Sequence, residues 1–114
     1  MINVKSQINI LGSNWNIVFR EEAEDNYLKN RDGYTDKTVK TIVIAKDRGD
    51  TGFGDYDQHQ KETLRHEIIH AFLMESGLDS NFQHPNEFGH DETTVDWFAM
   101  QWHKINKVFE ELGI

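Results

Sequence analysis

One stretch limits this chain more tightly than any other: Lys61-Glu62-Thr63-Leu64-Arg65-His66-Glu67-Ile68-Ile69-His70-Ala71-Phe72-Leu73-Met74-Glu75-Ser76. Its centre, His66 to His70, has the form H-E-x-x-H. On an α-helix, residues four apart share a face, with Cβ atoms about 5–6 Å apart. Two imidazoles so placed can hold one tetrahedral cation between them. The glutamate lies beside that face, where it can act as general base toward water. The pattern carries chemistry only if the segment is helical, if its back is apolar and if a third ligand exists.

The first two conditions are met locally. Leu64, Ile68, Ala71 and Phe72 recur at i, i+4, i+7 and i+8, and Ile69 and Leu73 widen the stripe. Asp57 is the expected N-cap, with Gln60 three residues on as its capping-box partner. Gly77 falls where a left-handed C-cap belongs. These signals predict a helix over 57–76 with both histidines inside it.

The 114 residues are one domain's worth. Ile2, Val4, Ile8 and Ile10 alternate with polar residues, predicting a strand over 2–10. Leu11-Gly12-Ser13-Asn14 is turn chemistry, and a second strand over 15–20 completes an antiparallel hairpin. Residues 21–32 are charged and read as a loop or one helical turn around Tyr27 and Leu28. Gly33 to Lys37 reads as a turn. The β-branched run over 38–45 is the strongest strand. A Gly/Asp loop follows at 46–54, and a loop with the sole proline, Pro85, spans 78–90. A second helix is predicted over 91–112, ended by Gly113, with Val95, Phe98, Trp102, Ile105, Phe109 and Leu112 as its core stripe. Trp15, Trp97 and Trp102 are expected to pack in the core or at its rim. The expected fold is α+β: a small antiparallel or mixed sheet of about three strands, packed on the motif helix and a second, C-terminal helix.

Composition narrows the chemistry. The chain has no cysteine, which excludes disulfides and thiolate metal sites and leaves His, Asp and Glu as ligands. That fits a reducing, cytoplasmic setting. Residues 1–6 lack the basic-then-apolar pattern of a signal peptide, and no run approaches the ~20 apolar residues of a membrane helix. A formal net charge of −8 argues against nucleic acid and anionic membranes as partners.

The third condition points to the second helix. A catalytic zinc usually takes three protein ligands and keeps one position open. Glu92 and Asp96 form E-x-x-x-D, two carboxylates on one helical face. Glu92 is the expected third ligand, although His90 and Asp91 sit at the same helix start. Asp96 is expected to accept the free N–H of a ligating histidine, fixing its tautomer. His59, two turns before His66, shares a rough face with it and is expected to be a surface histidine.

H-E-x-x-H followed by E-x-x-x-D resembles the gluzincin clan of zinc peptidases. In size the chain is closer to minimal gluzincins, ImmA/IrrE-type and small bacterial or phage zincin-like domains. The resemblance covers residues 57–103. It implies a zincin-like fold, one Zn²⁺, His66, His70 and Glu92 as ligands, Glu67 as catalytic base and Asp96 as supporting carboxylate. It also implies an edge strand that binds an extended peptide or protein substrate, for which 38–45 or its neighbour is the candidate. The larger gluzincins have a C-terminal subdomain that supplies a transition-state donor, and these residues are expected to work without it. His84, His90, His103 and Tyr34 are the candidate substitutes. The expected activity is zinc-dependent peptide-bond hydrolysis. The alternatives are a zincin-fold module that binds metal and a protein partner without turnover, or a structural domain in which the motif is coincidental.

Overall fold

The computed structural model describes residues 1–49, 51–80 and 92–114, apart from the side chains of Ser80, Glu92, Thr93, Val95, Asp96 and Ala99. Four strands, β1 (Gln7–Ile10), β2 (Ser13–Arg20), β3 (Gly33–Asp36) and β4 (Thr41–Ala45), precede two helices, α1 (Tyr56–Ser76) and α2 (Glu92–Leu112). Spatial order is β1-β2-β4-β3. β1 pairs antiparallel with β2, β2 parallel with β4, and β3 antiparallel with β4. The sheet is therefore mixed and has one strand more than expected.

The period of two in the strands sorts residues onto two faces. Ile8, Ile10, Trp15, Ile17, Ile42 and Ile44 point to one face and join Leu64, Ile68, Ala71 and Phe72 of α1 and Ile105, Val108 and Leu112 of α2 in the main core. Val43 and Ala45 point to the other face and bury Leu28, with Val18 and Tyr34 beside them. Leu28 belongs to the second of two short 3₁₀ turns, Glu22–Glu24 and Asn26–Leu28. β4 is buried on both faces, which explains why its sequence is a continuous apolar run rather than an alternation.

Four expectations need correction. Gly33 to Lys37 is not simply a turn: Gly33–Asp36 is a strand, and the turn falls at 37–40, where Asp36 Oδ1 accepts from the Thr38 amide at 2.9 Å. The strand expected over 38–45 therefore begins at Thr41. The strand expected over 2–10 begins at Gln7. Ile2 is buried as the alternation implies, but its amide donates to Gln60 Oε1 at 3.2 Å rather than to a neighbouring strand. Trp102 is 53% exposed. The packed line of α2 runs through Phe98, Ile105, Val108 and Leu112, and Trp102 lies off it.

The motif helix is anchored at both ends. Its N-cap is Asp55, which accepts from the Gln58 amide at 3.2 Å; Asp57, the expected cap, lies inside the helix. Buried Gln60 donates to the Ala45 carbonyl at 3.0 Å and so ties the first turns to the end of β4. At the other end Gly77, with φ 80°, is the expected left-handed cap. There Glu75 accepts from Trp15 Nε1 at 2.8 Å and Ser13 Oγ at 3.1 Å, and pairs with Lys40. No helix among the described residues is long and apolar enough to cross a membrane.

Candidate active site

The motif histidines project from the solvent side of α1. His66 is 67% exposed at the side chain and His70 is exposed. Their Nε2 atoms lie 3.1 Å apart, with the rings inclined at 72°. Two nitrogens each about 2.0–2.1 Å from a tetrahedral zinc are separated by about 3.3 Å. The helix therefore brings the pair to nearly the ligand spacing, and the two lone pairs require a proton or a cation between them.

Glu67 is placed differently. It lies 100° round the helix from His66, at the boundary between the histidine face and the buried face, and is 7% exposed. Oε1 accepts from Thr35 Oγ1 at 2.9 Å. Oε2 lies 3.9 Å from His66 Nε2. The buried carboxylate is thus held beside the paired imidazoles with one oxygen tethered and the other turned to their side.

β3 forms the wall opposite α1. Gly33 and Thr35 face the helix because strand residues alternate. Two adjoining hollows, about 420 and 320 Å³, meet at Arg31, Gly33, His66 and Glu67. One runs toward His59, the other toward Met74. Together they make a groove along α1 with the motif at its centre. Larger hollows of about 590 and 580 Å³ lie elsewhere, and neither contains a histidine.

Gly33 sets the width of this groove. A Cβ at that position would lie 2.8 Å from the Val43 carbonyl oxygen and 3.2 Å from both Ile44 Cδ1 and Thr63 Cγ2. Backbone on one side leaves little room to yield. Gly33→Ala is expected to lower stability by about 1–3 kcal/mol, read as a lower denaturant midpoint at unchanged m-value.

The expected site residues fall into three groups. His66, Glu67 and His70 are brought together. Glu92 and Asp96 lie on the first turns of α2, but their side chains fall outside the described residues, and so do His84, His90 and Asp91 entirely. Trp97 Nε1 donates to Ser76 Oγ at 3.1 Å, which brings the N-terminal part of α2 beside the end of α1. Among the described residues no three His, Asp or Glu side chains form a metal-holding set. Tyr34 borders the hollow that runs toward Met74, although its hydroxyl is turned to Asp25. The Tyr34 side chain is on the far face of β3, where its hydroxyl donates to Asp25 Oδ2 at 2.5 Å beside Arg20. Burial, then the bond to Asp25, pushes its pKa up to about 12. His103 is exposed on α2 and does not line the groove.

His59 was expected at the surface but lies in the groove. Its ring stacks on Phe53 at 4.2 Å, and Nε2 is 3.2 Å from Asp32 Oδ2. The separation is hydrogen-bonding, although the ring N–H is not aimed well at that oxygen. Sequence reasoning also missed Thr35 and Gly33, because the segment holding them was read as a turn.

Comparison with protein-family models, with curated proteins and with solved structures found no match to this chain.

Proposed function

We propose that this chain is a zinc-dependent peptide hydrolase of the gluzincin type, acting in a reducing, cytoplasmic setting. The observation that supports this best is the 3.1 Å approach of His66 and His70 Nε2 beside a nearly buried carboxylate. Nitrogen donors at that spacing suit Zn²⁺, and a chain without cysteine has no thiolate to offer. His66 and His70 would hold the ion. Glu92 is the proposed third ligand and Asp96 its proposed outer partner, since both are carried on the part of α2 that adjoins the end of α1. The ion supplies Lewis acidity, which lowers the pKa of water to about 7.

The chain's own residues do the rest. Glu67 Oε2 takes the proton of the attacking water and returns it to the leaving amine. β3 is the terminal strand of the sheet, so its outer edge can accept an extended peptide by strand addition. Such a peptide would run along the groove, past His66 and Glu67, between the His59 and Met74 ends.

Elemental analysis of protein purified without chelator tests the reading. About one zinc per chain is expected, and His70→Ala should lose it. Protein that neither carries zinc nor takes it up would end the hydrolase proposal. Protein that holds one zinc yet leaves casein and unfolded proteins intact would instead favour the metal-containing binding module.

A further inference from the structure

Glu67 is a buried ionisable side chain, and buried carboxylates need hydrogen-bond donors. Among the described residues its carboxylate has one: the Thr35 hydroxyl, 2.9 Å from Oε1. The same hydroxyl lies 3.1 Å from the Glu67 backbone carbonyl. A hydroxyl has a single proton, and a carboxylate is the stronger acceptor, so the proton goes to Oε1. Thr35 sits 32 positions away in the chain, on the edge strand rather than on the motif helix.

We infer that Thr35 is a positioning residue for the general base. Its hydroxyl pins one oxygen of Glu67 to β3 and leaves the other, on the His66 side, to carry the proton. The inference rests on the hydrolase reading of the site. A glutamate has three side-chain torsions, and the tether removes most of that freedom at the carboxylate. It also links the base to the strand proposed to bind substrate, so a peptide docked on β3 and the group that acts on it share one frame. Displacement of a reacting group by about 1 Å costs on the order of 10²-fold in rate, so loss of the tether should appear in turnover rather than in substrate binding.

Parent, Thr35→Val, Thr35→Ala and Thr35→Ser are compared. Valine keeps the shape and suits a strand but has no hydroxyl; alanine is the second variant should valine disturb the fold. Three measurements are made: zinc content, kcat and KM on fluorescein-labelled casein, and NMR of the zinc-free proteins. In the parent the Thr35 hydroxyl proton should exchange slowly and show a nuclear Overhauser contact to the Glu67 side chain. In the Val and Ala variants kcat should fall on the order of 10- to 100-fold at unchanged KM and zinc content, and Ser should restore most of it. A Val variant with the parent's kcat, or a parent lacking the hydroxyl contact, overturns the role of Thr35 while leaving the hydrolase reading standing. A zinc-loaded parent that shows the contact but does not cleave casein overturns the hydrolase reading and this inference together.

Discussion

Glu67→Gln is expected to reduce turnover by about 10²–10⁴-fold, the range attributed to general acid–base catalysis, while the protein keeps its fold and its zinc. The substitution is nearly isosteric. The amide oxygen can still accept from Thr35 Oγ1, now 2.9 Å from Oε1, and the amide nitrogen takes the place of Oε2. That nitrogen has no lone pair able to accept a proton. Neither His66 nor His70 is altered, so zinc content should match the parent. Zinc analysis, thermal melting and casein hydrolysis on the same preparation separate the outcomes. A Gln variant that cleaves as fast as the parent would show that Glu67 is not the base.

The largest effect on stability is expected at Trp15. Its side chain is fully buried in the main core, and Nε1 donates to Glu75 Oε1 at 2.8 Å. Trp15→Ala should cost about 3–5 kcal/mol, a large part of the 5–15 kcal/mol that holds a typical domain together. Trp15→Phe separates the two contributions, because it keeps much of the volume and loses the N–H. A hydrogen bond to a charged group contributes about 1.5–3 kcal/mol. Glu75 also carries a pH signature. The bond from Lys40, and then those from Trp15 and Ser13, hold its carboxyl below the ordinary 4.5 against the opposing effect of burial. A depressed folded-state pKa adds stability that is present above the unfolded value and lost as pH falls through the folded one. Denaturant midpoints of parent and Trp15→Phe should therefore converge as pH drops below 4.5. A gap that stays constant from neutral pH to acid would mean that the indole does not depend on the ionised carboxylate.

The parts legible in the sequence were those whose signal is local. The motif helix shows its 3.6-residue period, its Gly77 cap and the i, i+4 spacing that makes His66 and His70 converge. Only its first turn was misplaced, because Asp55 and Asp57 are equally good caps by composition and contacts with β4 decide between them. β3 was illegible for the opposite reason. Gly33-Tyr34-Thr35-Asp36 has turn composition, and it is a strand because it pairs with β4 and because Gly33 fits against Thr63. Propensity yields there to tertiary contact. The alternation was real for burial at Ile2 and, in part, Val4 but says nothing about which groups receive the backbone bonds, and Gln60 receives one. In α2 the period admits either Gln101 or Trp102 between Phe98 and Ile105. Hydrophobicity favours the tryptophan, whereas the packing leaves it exposed. At the candidate site, the convergence of His66 and His70 was readable from spacing alone, whereas the place of His59 in the groove was not. Thr35 was not readable either, since nothing in a sequence marks a contact across 32 residues.

The strand order has a consequence for how this domain comes together. β1 with β2 is one hairpin and β3 with β4 is another, each closed by a short local turn. Their backbones pair where β2 and β4 run parallel, across a connection that includes both 3₁₀ turns. Local closure is fast, whereas pairing across a long connection must first overcome chain entropy. The seam from Asn16–Thr41 to Arg20–Ala45 is therefore the pairing with the largest loop-closure cost, and it is expected to form after the two ribbons. Because β4 is covered on both faces, amides along that seam are expected to be among the slowest in the domain to exchange with solvent.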